Sequence, residues 1–182
     1  MERIHRDLLA SKAASVELLV LDVDGVLTDG RIVYTTDGQQ ILSFHVHDGL
    51  GIKLLADCGV KIAIISARKS SALEKRASEL KIDFLYQGVS DKVACLRGLL
   101  ELLQIPPEKV AAIGDDLVDL PVLKFVGLPV IVKDAAPGMS DHVDYITERS
   151  GGTGAVREVC ELILKAKKKW AIYFDGFLGP SS

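Results

Sequence analysis

The feature that most restricts the fold is a series of short aliphatic runs, each of which ends in a polar residue. LLVLD covers residues 18–22, VKIAIIS covers 60–66 and KVAAIGD covers 109–115. Segments such as SSALEKRASELK and DKVACLRGLLELLQ lie between these runs and have the amphipathic spacing of helices. Strands that alternate with helices predict a mostly parallel sheet with helices on both faces. We therefore expect an α/β fold of the Rossmann-like, three-layer sandwich type.

Two segments depart from this alternation. RIVYTTDGQQILSFHV, residues 31–46, contains two β-rich runs around Asp37-Gly38, and this pattern predicts a protruding β-hairpin. On a strand of that hairpin, His45 and His47 would share one face. The tail, residues 169–182, carries aromatic residues, Gly and Pro, and is expected either to reach a neighbouring site or to be disordered. Because there is no linker or repeat, residues 1–182 are predicted to form one domain.

Composition and charge exclude several classes of function. The net charge is -3, which gives no basic surface for nucleic acid or for an anionic membrane. No apolar run approaches the roughly 20 residues that span a bilayer. The cysteines Cys58, Cys95 and Cys160 are odd in number and widely spaced, so neither a zinc site nor a disulfide framework is expected. A reducing cytoplasm is the predicted location.

Polar residues collect where the predicted strands end. Asp22 and Asp24 follow the first strand, Ser66 ends the second and Asp115 follows a later one, while Lys92 begins a helix. The carboxyl ends of parallel strands meet at one edge of the sheet, where ligands bind. Oxygen ligands gathered there suit Mg²⁺. Carboxylates, a hydroxyl and an ammonium group around Mg²⁺ fit phosphoryl transfer through an aspartyl-phosphate.

These residues stand in motifs that resemble those of the haloacid dehalogenase-like phosphatases. DVDGVLTD is similar to the first motif of that superfamily, ISAR to the second, SDK to the third and GDDLVD to the fourth. By this resemblance, Asp22 is the nucleophile, and Asp24 protonates the leaving alcohol and then activates water. Ser66 and Lys92 hold the oxygens of the transferred phosphoryl group.

The same resemblance implies a magnesium site. Asp115 binds Mg²⁺ together with the carboxylate of Asp22 and the backbone carbonyl of Asp24. Asp116 and Asp119 would support these ligands from behind.

The spacing of the motifs leaves no room for a cap domain. Only 35 residues separate Gly30 from Ser66 and 25 separate Ser66 from Lys92, and the predicted hairpin, helices and strands use them all. VLTDGRIVY, HDGLGIK, QGVSDK and GGTGAVRE resemble the capless branch that contains the 3-deoxy-D-manno-octulosonate 8-phosphate phosphatases. This branch implies a homotetramer, built through the hairpins, in which a neighbouring subunit completes each site. The substrate would be the 8-phosphate of an eight-carbon sugar acid used in lipopolysaccharide synthesis.

Substrate-binding residues are predicted on segments next to the motifs. Arg68 and Lys69 follow Ser66 and could meet the substrate carboxylate, for which Arg is suited by its bidentate geometry. Asp48 and Gly49 could border the pocket. GGTGAVRE could offer backbone N–H groups to an anion, although Gly-rich helix starts are common.

One other substrate class and two other functions remain open from the sequence. The related nine-carbon sialic acid 9-phosphates are the main alternative substrates. A receiver domain also accepts phosphate on Asp, but it would not turn over, and the position of Asp24 argues against it. A catalytically silent binding protein is disfavoured because every residue of the expected machinery is present. Multiple turnovers with Mg²⁺ would distinguish these functions.

Overall fold

The computed structural model describes residues 2–178. The helices are α1 (Glu2–Ser15), α2 (Val46–Asp57), α3 (Ser71–Leu80), α4 (Lys92–Leu103), α5 (Leu120–Leu123), α6 (Ala155–Ala166) and α7 (Trp170–Leu178). The strands are β1 (Leu18–Leu21), β2 (Val33–Tyr34), β3 (Gln40–Ile41), β4 (Lys61–Ser66), β5 (Phe84–Gln87), β6 (Val110–Gly114), β7 (Leu128–Ile131) and β8 (Tyr145–Ile146). Short 3₁₀ turns cover Pro107–Lys109, Leu117–Asp119 and Ser140–His142.

Six strands form one parallel sheet in the order β5-β4-β1-β6-β7-β8. Leu21, the last residue of β1, lies opposite Ile64 of β4 and Ile113 of β6. The three central strands therefore end almost level, and the residues that follow them meet at one edge. This is the parallel sheet that the aliphatic runs predict.

Alternating side chains of the strands divide the core into two layers. Leu19 and Leu21 of β1 face an apolar cluster that contains residues of α2, α3 and α6. Leu18 and Val20 face a second cluster that contains residues of α4 and α5. Helices therefore cover both faces of the sheet, and the predicted three-layer α/β fold is confirmed.

The predicted hairpin is present but short. Val33 pairs with Ile41 and Tyr34 pairs with Gln40 in a separate antiparallel sheet, and Gly38 makes the turn with a φ of +82°. Within residues 2–178, only this hairpin and α2 lie between β1 and β4, and only α3 lies between β4 and β5. No cap domain is inserted at either place.

The prediction that His45 and His47 share one face of a strand is wrong. His45 is the N-cap of α2, and its side chain accepts a hydrogen bond from the His47 backbone N–H at 3.3 Å. The two rings meet edge to face, with 4.9 Å between their centroids. Helix capping therefore outweighs the β-rich composition of this segment, because a free helix end needs acceptors for its N–H groups.

The tail is ordered as helix α7 up to residue 178, so disorder is the wrong expectation for this part, while residues 179–182 lie outside the described chain. Trp170 is itself partly buried and packs against the core cluster between the sheet and α6, with the Arg157 guanidinium 5.2 Å and the Lys165 ammonium 5.3 Å from its ring centroid. These cation–π contacts fasten α7 to α6.

Among the described residues, no helix combines the length and apolar character needed to cross a membrane.

Candidate active site

A lysine joins two carboxylates at the carboxyl end of the sheet. The Lys92 ammonium donates to Asp22 Oδ1 at 2.6 Å and to Asp119 Oδ1 at 2.7 Å. Asp22 directly follows β1, Lys92 is the first residue of α4, and Asp119 lies in the turn after β6. The fold thus brings together side chains that are up to 97 positions apart in the sequence.

Asp115 completes a crowded group of carboxylates. Asp119 Oδ2 accepts a hydrogen bond from the Asp115 backbone N–H at 3.1 Å. One carboxylate oxygen from each of Asp22, Asp115 and Asp119 lies within 4.8 Å of the other two. Two carboxylates of this group can face a metal ion while Asp119 also holds Lys92.

Burial and this crowding raise the pKa of both Asp22 and Asp115. Burial, together with the charge of Asp119, raises the pKa of Asp22 to about 6. Burial and the charges of Asp22 and Asp119 raise the pKa of Asp115 to about 7. Burial alone would lower the pKa of Lys92, but its two carboxylate partners raise it overall. The single ammonium does not balance the carboxylates, and hard oxygen donors in this arrangement fit a divalent cation such as Mg²⁺.

The second motif lies beside Asp24. Arg68 Nη1 is 3.8 Å from Asp24 Oδ1, and about a third of each side chain is exposed. Ser66 is buried at the end of β4, and its hydroxyl oxygen accepts a hydrogen bond from the Arg68 backbone N–H at 3.2 Å. The side chain of Lys69 lies over Gly88, where a Cβ atom would be 2.5 Å from Lys69 Cε.

Three other candidates have surroundings that the sequence does not indicate. Asp48 is buried, and its Oδ1 accepts a hydrogen bond from the Arg157 backbone N–H at 2.7 Å, in the first turn of α6. Gly49 lies against Arg76, since a Cβ atom on Gly49 would be 2.4 Å from Arg76 Nη2. The exposed Asp116 accepts from the Leu117 backbone N–H at 2.7 Å and starts the 3₁₀ turn. Their predicted contacts with substrate or metal ligands stay predictions.

Sequence reasoning missed two parts of this site. It did not pair Lys92 with Asp119, because their contact depends on how the turn after β6 folds back. For the Gly-rich segment before α6 the sequence suggests only anion binding, whereas the structure places Gly151 against the backbone of Gly25 in the first motif. The run of glycines in GGTG was the available signal, since close backbone approach is a common reason for glycine.

Comparisons with known proteins agree with this geometry. Residues 84–159 match the family model of the haloacid dehalogenase-like hydrolases. The 3-deoxy-D-manno-octulosonate 8-phosphate phosphatase KdsC of Escherichia coli K12 is 47% identical over 166 residues, which cover 91% of this chain and 88% of that protein. A probable YrbI family phosphatase from Pseudomonas syringae has a TM-score of 0.93 and 45% identity, covering 96% of this chain and 99% of that one.

A further solved structure contains ligands. The 3-deoxy-D-manno-octulosonate 8-phosphate phosphatase of Moraxella catarrhalis, in complex with magnesium, phosphate and a KDO molecule, has a TM-score of 0.91 and 41% identity. The match covers 93% of this chain and 97% of that one. The chain therefore belongs to the 3-deoxy-D-manno-octulosonate 8-phosphate phosphatase family of the haloacid dehalogenase-like hydrolases.

Proposed function

We propose that the protein is a Mg²⁺-dependent phosphoric monoester hydrolase. It converts 3-deoxy-D-manno-octulosonate 8-phosphate to the free sugar acid and phosphate, a step of lipopolysaccharide synthesis. The observation that carries this proposal is the group of three carboxylates at the carboxyl end of the sheet, two of which accept hydrogen bonds from Lys92, in a chain 47% identical to relatives of that activity.

The reaction proceeds in two displacements. A carboxylate oxygen of Asp22 attacks phosphorus in line, and the bond from phosphorus to the 8-oxygen of the sugar breaks. Asp24 donates its proton to that leaving oxygen and then takes a proton from a water molecule. The water oxygen attacks the aspartyl-phosphate, phosphate leaves, and the Asp22 carboxylate is regenerated.

The remaining residues hold the phosphoryl group and the metal. Ser66 and Lys92 bind the transferred phosphoryl oxygens, and Asp22, Asp115 and the backbone carbonyl of Asp24 would hold Mg²⁺. When bound there, the metal would supply positive charge against the negative charge that develops on the phosphoryl oxygens. Supporting roles fall to Asp116 and Asp119, in the turn after β6. For Asp119, this role is favoured by the hydrogen bonds that its carboxylate accepts from the Lys92 ammonium and from the Asp115 backbone N–H.

Arg68 is the best supported substrate-binding residue, because its partly exposed guanidinium lies 3.8 Å from Asp24 Oδ1. There it can meet the carboxylate of a sugar acid whose phosphate is bound at Asp22. Lys69 and Gly49 are proposed at the border of the same pocket. Asp48, which is only 2% exposed and faces α6, would act on the substrate through the position of that helix.

We further propose a homotetramer assembled through the hairpin, in the cytoplasm. The hairpin exposes a group of large apolar side chains to solvent, namely Ile32, Val33, Tyr34 and Ile41. Contiguous exposed apolar surface commonly marks an interface between proteins. A neighbouring subunit would also close a site that has no cap domain of its own. All three cysteines are free, which suits a reducing compartment.

Phosphate release tests the proposal against its alternatives. We would measure steady-state kinetics with and without Mg²⁺ on octulosonate 8-phosphate, sialic acid 9-phosphate and an aryl phosphate. We expect kcat/KM to be at least about 100-fold higher for the octulosonate, which equals about 2.7 kcal/mol of transition-state discrimination. Equal values on all three would keep the phosphatase and reject the substrate, and no Mg²⁺-dependent turnover would favour a receiver or a binding protein.

A further inference from the structure

Gly25, in the first motif, is packed on two sides with no free space. Its φ is +87°, and a Cβ atom on it would lie 2.0 Å from Asp115 Oδ2. On the other side, a Cβ atom on Gly151 would lie 1.7 Å from the Gly25 carbonyl oxygen. The backbone that follows Asp24 is thus held between Asp115, a proposed metal ligand, and Gly151. Gly151 belongs to the segment before α6, residues 150–154, which we call the glycine loop.

The glycine loop follows the first motif for several residues. The Gly152 backbone N–H donates to the Val26 carbonyl oxygen at 2.9 Å. Gly152 has a φ of +65°, and a Cβ atom there would be 2.4 Å from the Asp29 backbone nitrogen. The two segments therefore touch along their backbones, which leaves little freedom for either to shift alone.

One carboxylate holds the glycine loop, and a second holds the helix that follows it. Asp134 Oδ1 accepts from the Gly151 backbone N–H at 2.9 Å, and two residues later the Ala136 N–H donates to the Asp115 carbonyl oxygen at 2.7 Å. At the other end, Asp48 caps the first turn of α6 through the Arg157 N–H, because the N-cap residue Gly154 has no side chain to do so. Residues 134–136 therefore hold both the glycine loop, through Asp134, and the backbone of Asp115, through Ala136.

We infer that the glycine loop is a positioning element for the metal site, with Gly151 and Asp134 as its principal positioning residues. It sets the Asp24-Gly25 backbone at a fixed distance from Asp115. None of its residues needs to touch the substrate. This inference rests on the proposed function, in which the Asp24 carbonyl and Asp115 both hold Mg²⁺, and outer supports of metal ligands typically change metal affinity by about 10- to 100-fold when mutated.

Gly151→Ala tests the close contact. The new methyl group must displace the Gly25 carbonyl by more than 1 Å, and a shift of about 1 Å costs about 100-fold in rate. We expect kcat to fall by about that factor, with the KM for octulosonate 8-phosphate nearly unchanged. The Mg²⁺ dissociation constant, measured by calorimetry in the absence of substrate, should rise about tenfold or more.

Gly98→Ala is the matched control, because Gly98 also lacks a positive φ and a Cβ atom there meets nothing within 4 Å. Each variant is compared by circular dichroism and thermal unfolding before the kinetics. If folded Gly151→Ala matches Gly98→Ala in kcat and in Mg²⁺ affinity, the inference is overturned. If the wild-type protein itself releases no phosphate, the proposed function fails instead.

Asp134 provides a milder test that does not crowd the backbone. Asp134→Ala removes the acceptor of the Gly151 N–H, while Asp134→Asn keeps an oxygen at that place. We expect Asp134→Ala to weaken Mg²⁺ binding and lower kcat several-fold, and Asp134→Asn to restore most of both. Should Gly151→Ala fail to fold, this pair decides: wild-type Mg²⁺ affinity in Asp134→Ala would overturn the inference.

Discussion

Asp22→Asn should abolish turnover and at the same time stabilise the metal-free protein at neutral and alkaline pH. Asp22 is close to Asp115 and Asp119, and burial among these charges raises its pKa to about 6. An amide of the same shape removes the nucleophile and one of the repelling charges together. Its oxygen can still accept a hydrogen bond from Lys92.

The magnitude follows from the shift in pKa. Asp22 is raised from 3.8 to about 6, and at about 1.4 kcal/mol per pKa unit this corresponds to roughly 3 kcal/mol. The pKa of about 6 already includes the opposing effect of the Lys92 ammonium, so we expect a gain of up to about 3 kcal/mol at pH 8. For a chain of this length, each kcal/mol changes Tm by about 2–4 °C.

The sign of the pH dependence is fixed by the direction of the shift. The folded-state pKa of Asp22 is raised, so folding favours the protonated carboxyl group. The contribution of Asp22 to the free energy of unfolding is therefore fully present below about pH 3.8 and is lost as pH rises through about 6. The variant has no such loss. Its advantage over wild type should therefore grow by about 2 kcal/mol between pH 4.5 and pH 8, and then stay constant.

Thermal unfolding of both proteins in EDTA, at half-unit steps from pH 4.5 to 8.5, measures this difference. Phosphate release with Mg²⁺ is assayed on the same preparations. A difference in Tm that does not grow with pH would refute the electrostatic account of the carboxylate group. Appreciable turnover by Asp22→Asn would refute its assignment as the nucleophile.

Three further predictions concern the metal, the substrate and the assembly. Saturating Mg²⁺ should raise Tm more at pH 8 than at pH 5.5, because protons compete with the metal for Asp22 and Asp115. The pKa values of these two groups are about 6 and about 7. An equal rise in Tm at both pH values would contradict this prediction. Arg68→Met should lower kcat/KM for octulosonate 8-phosphate at least about tenfold more than for an aryl phosphate, because one ionic contact with the sugar carboxylate is lost. An equal fall in kcat/KM for both substrates would show that Arg68 does not bind the sugar carboxylate. The double variant Val33→Asp/Ile41→Asp places like charges opposite each other on the hairpin and should yield monomers in analytical ultracentrifugation, with wild-type protein as control.

The sequence predicts the strands and their polar ends well because both depend on local pattern. Buried parallel strands need continuous aliphatic runs, and the residues after β1 and β6 then have to meet, since neighbouring parallel strands end at the same edge. The positions of Asp22, Ser66 and Asp115 therefore follow from the pattern alone. The hairpin follows in the same way from the Asp37-Gly38 turn.

What the sequence does not predict depends on contacts between distant segments. Nothing local indicates that Asp119 shares Lys92 with Asp22, or that Asp48 caps a helix that begins more than 100 residues later. The neighbours of His45 favour β-structure and predict a strand there, whereas His45 is the N-cap of α2. Helix α7 is stabilised by packing of Trp170 on α6, which composition cannot reveal.

Trp170, which contacts both Arg157 and Lys165, can also serve as a fluorescence probe. It is the only tryptophan in the chain, so selective excitation at the long-wavelength edge reports on one position. Its ring faces two cationic side chains, and the backbone of Arg157 is in turn held by Asp48. Detachment of α7 would move the indole into water and shift its emission to longer wavelength, so the junction of α2, α6 and α7 can be followed without any label.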